Sequence, residues 1–103
     1  MQAKVKKFNE KRDCHSKPMP VHARLMDLQS ELGELSKEYL KSTSYGTKDF
    51  ATSEDFLMEY GDVLYCVLSL ANEVGIDAEQ CLDMALNKYA KRIESKQKMD
   101  SGR

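Results

Sequence analysis

The 103-residue chain has no tryptophan, and its two prolines, Pro18 and Pro20, stand together near one end. Such a scarcity of proline favours long uninterrupted helices over a strand-and-turn architecture. The three cysteines, Cys14, Cys66 and Cys81, are an odd set without paired spacing, and the two histidines, His15 and His22, have no CxxC partner. A disulfide scaffold and a zinc motif are therefore not expected, and the thiols read as reduced and partly buried. There is also no apolar run long enough to span a bilayer and no signal-peptide core in MQAKVKKFNEKRD, so the expected location is cytoplasmic.

What is present is length for one domain, residues 1–103, with a core modest enough that any apolar face left over points to self-association. The net charge of −1 conceals a lopsided distribution. Residues 1–24 hold seven basic against two acidic side chains, residues 25–86 three against thirteen, and residues 87–103 six against two, giving +5, −10 and +4. An acidic centre calls for cations, and basic flanks suit phosphates.

Periodicity predicts four helices, an all-α fold. Residues 2–13 form a short basic helix with Val5 and Phe8 as its apolar contacts, followed by a linker, HSKPMP, whose prolines end one helix and can open another. From Pro20 to Lys41 the residues Leu25, Leu28, Leu32, Leu35 and Tyr39 share a sector of about 80° at about 100° per residue. Glu31, Glu34 and Glu38 fall on the strip beside it. Residues 42–52, STSYGTKDFAT, make a loop long enough to be flexible or functional, with Tyr45, Lys48 and Phe50 available to a ligand.

A central helix follows over 53–74, opened by Thr52 or Ser53 as cap. Apolar residues surround most of it, yet Asp55, Glu59, Asp62 and Glu73 share one strip. Gly75 ends this helix, and Asp77 with Gln80 opens the last one, 77–98, which is expected to turn Leu82, Leu86, Tyr89 and Ile93 to the core. Residues 96–103 are expected to fray.

One internal echo carries chemistry. ELGE at 31–34 returns as EYGD at 59–62, each a pair of carboxylates at i and i+3 with a glycine before the second. Like charges at that spacing are unfavourable, and a mid-helix glycine costs about 1 kcal/mol relative to alanine. Antiparallel packing of the two helices would compensate by bringing Glu31, Glu34, Glu59 and Asp62 together, with Gly33 and Gly61 allowing close backbone approach. Four converging carboxylates need a counter-ion, and a hard oxygen set without histidine or thiolate selects Mg²⁺, with Mn²⁺ as substitute. Di-iron bundles use Glu-x-x-His, which this chain lacks.

The two acidic motifs, with ELGELSKE, EYGDVLYCVLSLANEVGID and NKYAKR around them, resemble the MazG-type all-α nucleoside-triphosphate pyrophosphohydrolases over most of residues 20–95. The resemblance implies a four-helix subunit whose two long antiparallel helices carry the site, assembling as a homodimer or homotetramer. It implies Mg²⁺-dependent hydrolysis of a nucleoside or deoxynucleoside triphosphate between the α- and β-phosphates, with Glu31, Glu34, Glu59 and Asp62 on metal. Glu34 or Glu38 would then be the catalytic carboxylate that orients water, and Lys88, Lys91 and Arg92 would bind substrate phosphates. Ser30 stands where many members have a further glutamate, and Cys14 where some have tryptophan. The alternatives are a phosphoribosyl-ATP pyrophosphohydrolase and a non-catalytic helical oligomerisation module. Neither a membrane nor a nucleic acid is an expected partner.

Overall fold

Ser53 closes the long loop by accepting the Phe56 N–H at 3.1 Å, so it wins over Thr52 as the cap of the central helix. At the far end of that helix Gly75 takes φ 75°, ψ 35°, the left-handed conformation that favours glycine, and Asp77 Oδ1 then accepts from the N–H groups of Glu79 (3.0 Å) and Gln80 (3.2 Å). These local signals delimit the elements of a computed structural model that describes residues 1–14, 17 and 19–101: α1 Gln2–Asp13, α2 Val21–Ser42, α3 Glu54–Val74 and α4 Ala78–Ser101. The fold is all-α, and among the described residues there is no strand and no helix long and apolar enough to cross a membrane.

In the HSKPMP break, His15, Ser16 and Pro18 lie outside the described residues, while Pro20 occupies the N-cap of α2. At the other end α4 extends to Ser101, a turn beyond the expected 98. Its last stretch, Glu94-Ser95-Lys96-Gln97-Lys98-Met99, is rich in residues that favour helix, with Lys98 placed well for the dipole.

Helices α2 and α3 run antiparallel, since contacts pair Asp27 with Cys66, Glu31 with Glu59 and Asp62, and Tyr39 through Phe50 with Phe56. In that last group the rings of Tyr39 and Phe50 stack at 5.1 Å and Phe50 meets Phe56 edge-on at 5.0 Å. Phe50 is thereby committed to holding the loop, while Tyr45 stays exposed. Thr43, buried at the loop's start, donates to the Tyr39 and Leu40 carbonyls and accepts from Gly46 N–H.

Helix α1 docks on α3 largely through polar groups. Asn9 is buried and donates to Ser69 Oγ at 3.0 Å, while the Tyr65 hydroxyl donates to Asn9 Oδ1 and accepts from Arg12 Nη1. Phe8 adds an edge-on ring contact to Tyr65. Gln2 ties the helix start to the α3–α4 turn, donating to the Ile76 carbonyl at 2.7 Å and accepting from Ala78 N–H at 2.8 Å.

The apolar core is small: among the described residues Cys66, Leu68 and Ala71 are its buried members, all on α3. Leu82, Leu86, Tyr89 and Ile93 do not turn to it. They are 50–59% exposed, because α4 packs only sparsely on the other helices. The radius of gyration is 18.3 Å, against about 13 Å for a compact chain of this length. The leucine strip of α2 is likewise only half covered, with Leu28 and Leu35 half-buried and Leu25, Leu32 and Tyr39 exposed. The polar strip beside it is what meets α3.

Candidate metal centre

On α2 the positions 24, 27, 31, 34 and 38 alternate steps of three and four, and on α3 so do 59, 62, 66 and 69. That spacing keeps each set on one face of its helix, and antiparallel packing turns the two faces toward each other. Midway along this polar seam Glu31, Glu59 and Asp62 each offer a carboxylate oxygen, all within 4.8 Å of one another. Glu31 and Glu59 are half-buried and Asp62 is exposed, so the cluster opens to solvent on one side.

The electrostatics are those of a site short of positive charge. The Glu31 carboxyl titrates above its ordinary range, first because burial disfavours the anion and then because Asp62, Glu59, Asp27 and Glu34 repel it. Glu59 is raised for the same reasons, burial leading, followed by Asp62, Glu34, Glu38 and Asp55. Among the described residues no ion pair neutralises the cluster; Arg12 pairs with Asp13, and Lys41 with Glu38. Three oxygen donors from different turns, with neither nitrogen nor sulfur among them, fit a hard divalent cation.

Each expected site residue can now be located. Glu31, Glu59 and Asp62 converge; Glu34 is exposed one turn along α2, near enough to raise both Glu31 and Glu59 but outside the converging set. Glu38, half-buried, also bears on Glu59 and pairs with Lys41 at 3.8 Å. Lys88, Lys91 and Arg92 line a shallow basic groove on α4 together with Asn87 and Lys96, apart from Glu31, Glu59 and Asp62. Lys88 and Arg92 lie over the Tyr89 ring, at 5.0 and 5.9 Å.

The glycines do not act as expected. A Cβ built on Gly33 or Gly61 would meet nothing within 4 Å, so neither permits a close approach of α2 and α3. They leave open space beside the carboxylates instead.

Sequence reasoning also missed the far half of the seam. Toward the start of α2 the strip continues as Asp27, which accepts from the Cys66 thiol at 3.5 Å, and Arg24, which is buried over the Tyr65 ring. Burial, then Asp27, pushes the Cys66 thiol up to about 11. The signal was available: counting back from Glu31 by four and three reaches Asp27 and Arg24.

No protein-family model matches the chain. The uncharacterised protein YpjD of Bacillus subtilis is 34% identical over 96 residues, covering 89% of this chain and 82% of its own length. The solved structure of YpjD from the same organism superposes with a TM-score of 0.65 at 32% identity, over 85% of this chain and 86% of that one. A crystal structure of the Bacillus-conserved MazG protein, a nucleotide pyrophosphohydrolase, gives a TM-score of 0.70 at 27% identity, over 86% of this chain and 84% of that one. With two long helices pairing acidic motifs across an antiparallel seam, and with relatives matched over most of their length, this chain belongs to the MazG-like family of all-α proteins.

Proposed function

We propose that the chain is a Mg²⁺-dependent pyrophosphohydrolase that cleaves nucleoside or deoxynucleoside triphosphates between the α- and β-phosphates, releasing a nucleoside monophosphate and pyrophosphate. The observation that carries this reading is the convergence of Glu31, Glu59 and Asp62 from two helices onto one point, open to solvent on one side. These residues would hold the cation, with Glu34 one turn further as an additional ligand; when bound, the metal supplies charge neutralisation for the phosphates and acidifies a water.

The chain's own residues do the remainder. Glu31, Glu59 and Asp62 would hold the cation from two helices, and its charge would offset the repulsion that raises Glu31 and Glu59. Glu34 or Glu38, on the same strip, would accept a proton from the attacking water and so favour in-line attack. The open space beside Gly33 and Gly61 admits the phosphate chain without a side chain in the way.

The same reading includes assembly as a homo-oligomer. The exposed apolar stripe of α4 needs a cover, and a second copy that supplied one would also recruit Lys88, Lys91 and Arg92 to phosphates held elsewhere in the assembly.

The test is to incubate the purified chain with a panel of ribo- and deoxyribonucleoside triphosphates and phosphoribosyl-ATP in Mg²⁺, and to assay pyrophosphate. Release of pyrophosphate with the monophosphate is expected. Orthophosphate alone, or no turnover of any compound, would overturn the assignment.

A further inference from the structure

Helix α3 has a second face. Glu59, Asp62, Cys66 and Ser69 turn to α2, and at about 100° per residue Leu57, Tyr60, Leu64 and Val67 fall on the opposite side of the helix. Leu57, Tyr60 and Val67 are 40–60% exposed, and the positions of this face from Leu57 to Ala71 carry no charge. Where α1, α3 and α4 meet, Tyr60, Leu64, Val67 and Leu68 line a cleft of about 1020 Å³ together with Leu82 of α4. Leu86, Tyr89 and Ile93 follow Leu82 in steps of four, three and four, so the stripe of α4 carries the apolar lining out of the cleft.

Size and shape narrow what covers this surface. The exposed side chains of the two stripes together present on the order of 700 Å², more than the about 300–600 Å² of the largest apolar patch on a typical monomer and close to the about 800 Å² that each partner buries in a stable interface. Leu57 to Val67 spans about 15 Å of helix and Leu82 to Ile93 about 16 Å. The stripes are thus matched in length, and both have the spacing by which helices interlock at a shallow angle. Within one chain they do not close on each other, because α4 packs only sparsely on α3. Two copies would cover both at once: a two-fold axis that lays one α4 on the second copy's α3 also lays the second α4 on the first α3. An amphipathic peptide would cover one stripe and leave the other in solvent.

We propose that a second copy of the chain seats its α4 stripe on the outer face of α3, so that two α3 and two α4 helices share one apolar core and the acidic seams lie on its far sides. This rests on the homo-oligomer reading above and names the surface that receives α4.

The experiment reads mass by light scattering and native mass spectrometry for the wild type, for Tyr60→Lys with Val67→Lys, and for Leu86→Asp with Ile93→Glu. All four substituted side chains are exposed in the single chain, so helical circular dichroism should be retained in both variants. The wild type should run at twice the chain mass or a multiple of it, and each variant alone as a single chain. Mixing the two variants in equal amounts should restore a two-chain species holding one of each, because one α3–α4 contact then sets lysines against carboxylates and the other is unaltered. A lysine variant that keeps the wild-type mass, or a mixture that stays as single chains, would overturn the outer face of α3 as the contact and leave the assembly reading standing. A wild type that runs as a single chain would overturn both.

Discussion

Between α2 and α3 the facing positions are filled by Arg24, Asp27, Glu31, Glu59, Asp62 and Ser69, whereas α4 holds Leu82, Leu86, Tyr89 and Ile93 in solvent. A chain of this size optimised as a monomer would do the reverse, placing leucines in the seam and lysines on the free helix. Burying carboxylates beside one another is unfavourable until something positive joins them, and leaving an apolar stripe exposed is unfavourable until something covers it. The two regions thus suit opposite complements: the carboxylates of the seam suit a cation, and the apolar stripe of α4 suits a covering apolar surface.

That contrast can be broken at either end. The largest effect is expected from Glu59→Gln or Asp62→Asn, which should lower pyrophosphate release by about two orders of magnitude or more, the scale of losing one preorganised electrostatic contact. The helical circular dichroism should be unchanged, and the metal-free variants should melt above the metal-free wild type, since a like-charge repulsion has been removed. Full activity in both variants would remove the seam from the chemistry.

At the other end, the proposed homo-oligomer should be reduced to single chains by Leu86→Asp together with Ile93→Glu, as read by light scattering, while Glu59→Gln or Asp62→Asn should leave its mass unaltered. An unchanged mass would mean that α4 is not the contact.

A smaller effect follows from pH. Because Glu31 and Glu59 titrate above the ordinary range, the folded metal-free chain holds protons that the unfolded chain has already released. Its stability should therefore fall as pH rises from the usual glutamate range through these raised values, a trend that thermal melts in chelator would record and that Mg²⁺ should flatten. The least perturbation is chemical: Cys14 and Cys81 are exposed, whereas Cys66 is buried with its thiol pushed up to about 11, so a thiol reagent at neutral pH should label the first two rapidly and Cys66 only on unfolding.

Much of this arrangement could be read from residue order alone. Gly75, Asp77 and the Thr52–Ser53 pair marked the ends of helices, and the echo of ELGE in EYGD marked the centre, because caps and i, i+3 spacings are local features. Which face meets which element is not local. Leu82 to Ile93 have the spacing of a core stripe whether the same chain or another covers it, and the burial of Asn9 and Arg24 follows only once the helices around them are placed. Gly33 and Gly61 show the same limit: a glycine states that space is needed, and only the packing shows that the space is left open.

The central claim, that the polar seam is a metal site, is tested most directly by titrating Mn²⁺ into the metal-free protein and following free Mn²⁺ by electron paramagnetic resonance, for the wild type and Glu59→Gln. The account predicts saturable binding in the wild type and affinity weaker by about tenfold or more in the variant. No binding in the wild type, or equal binding in both proteins, would contradict it.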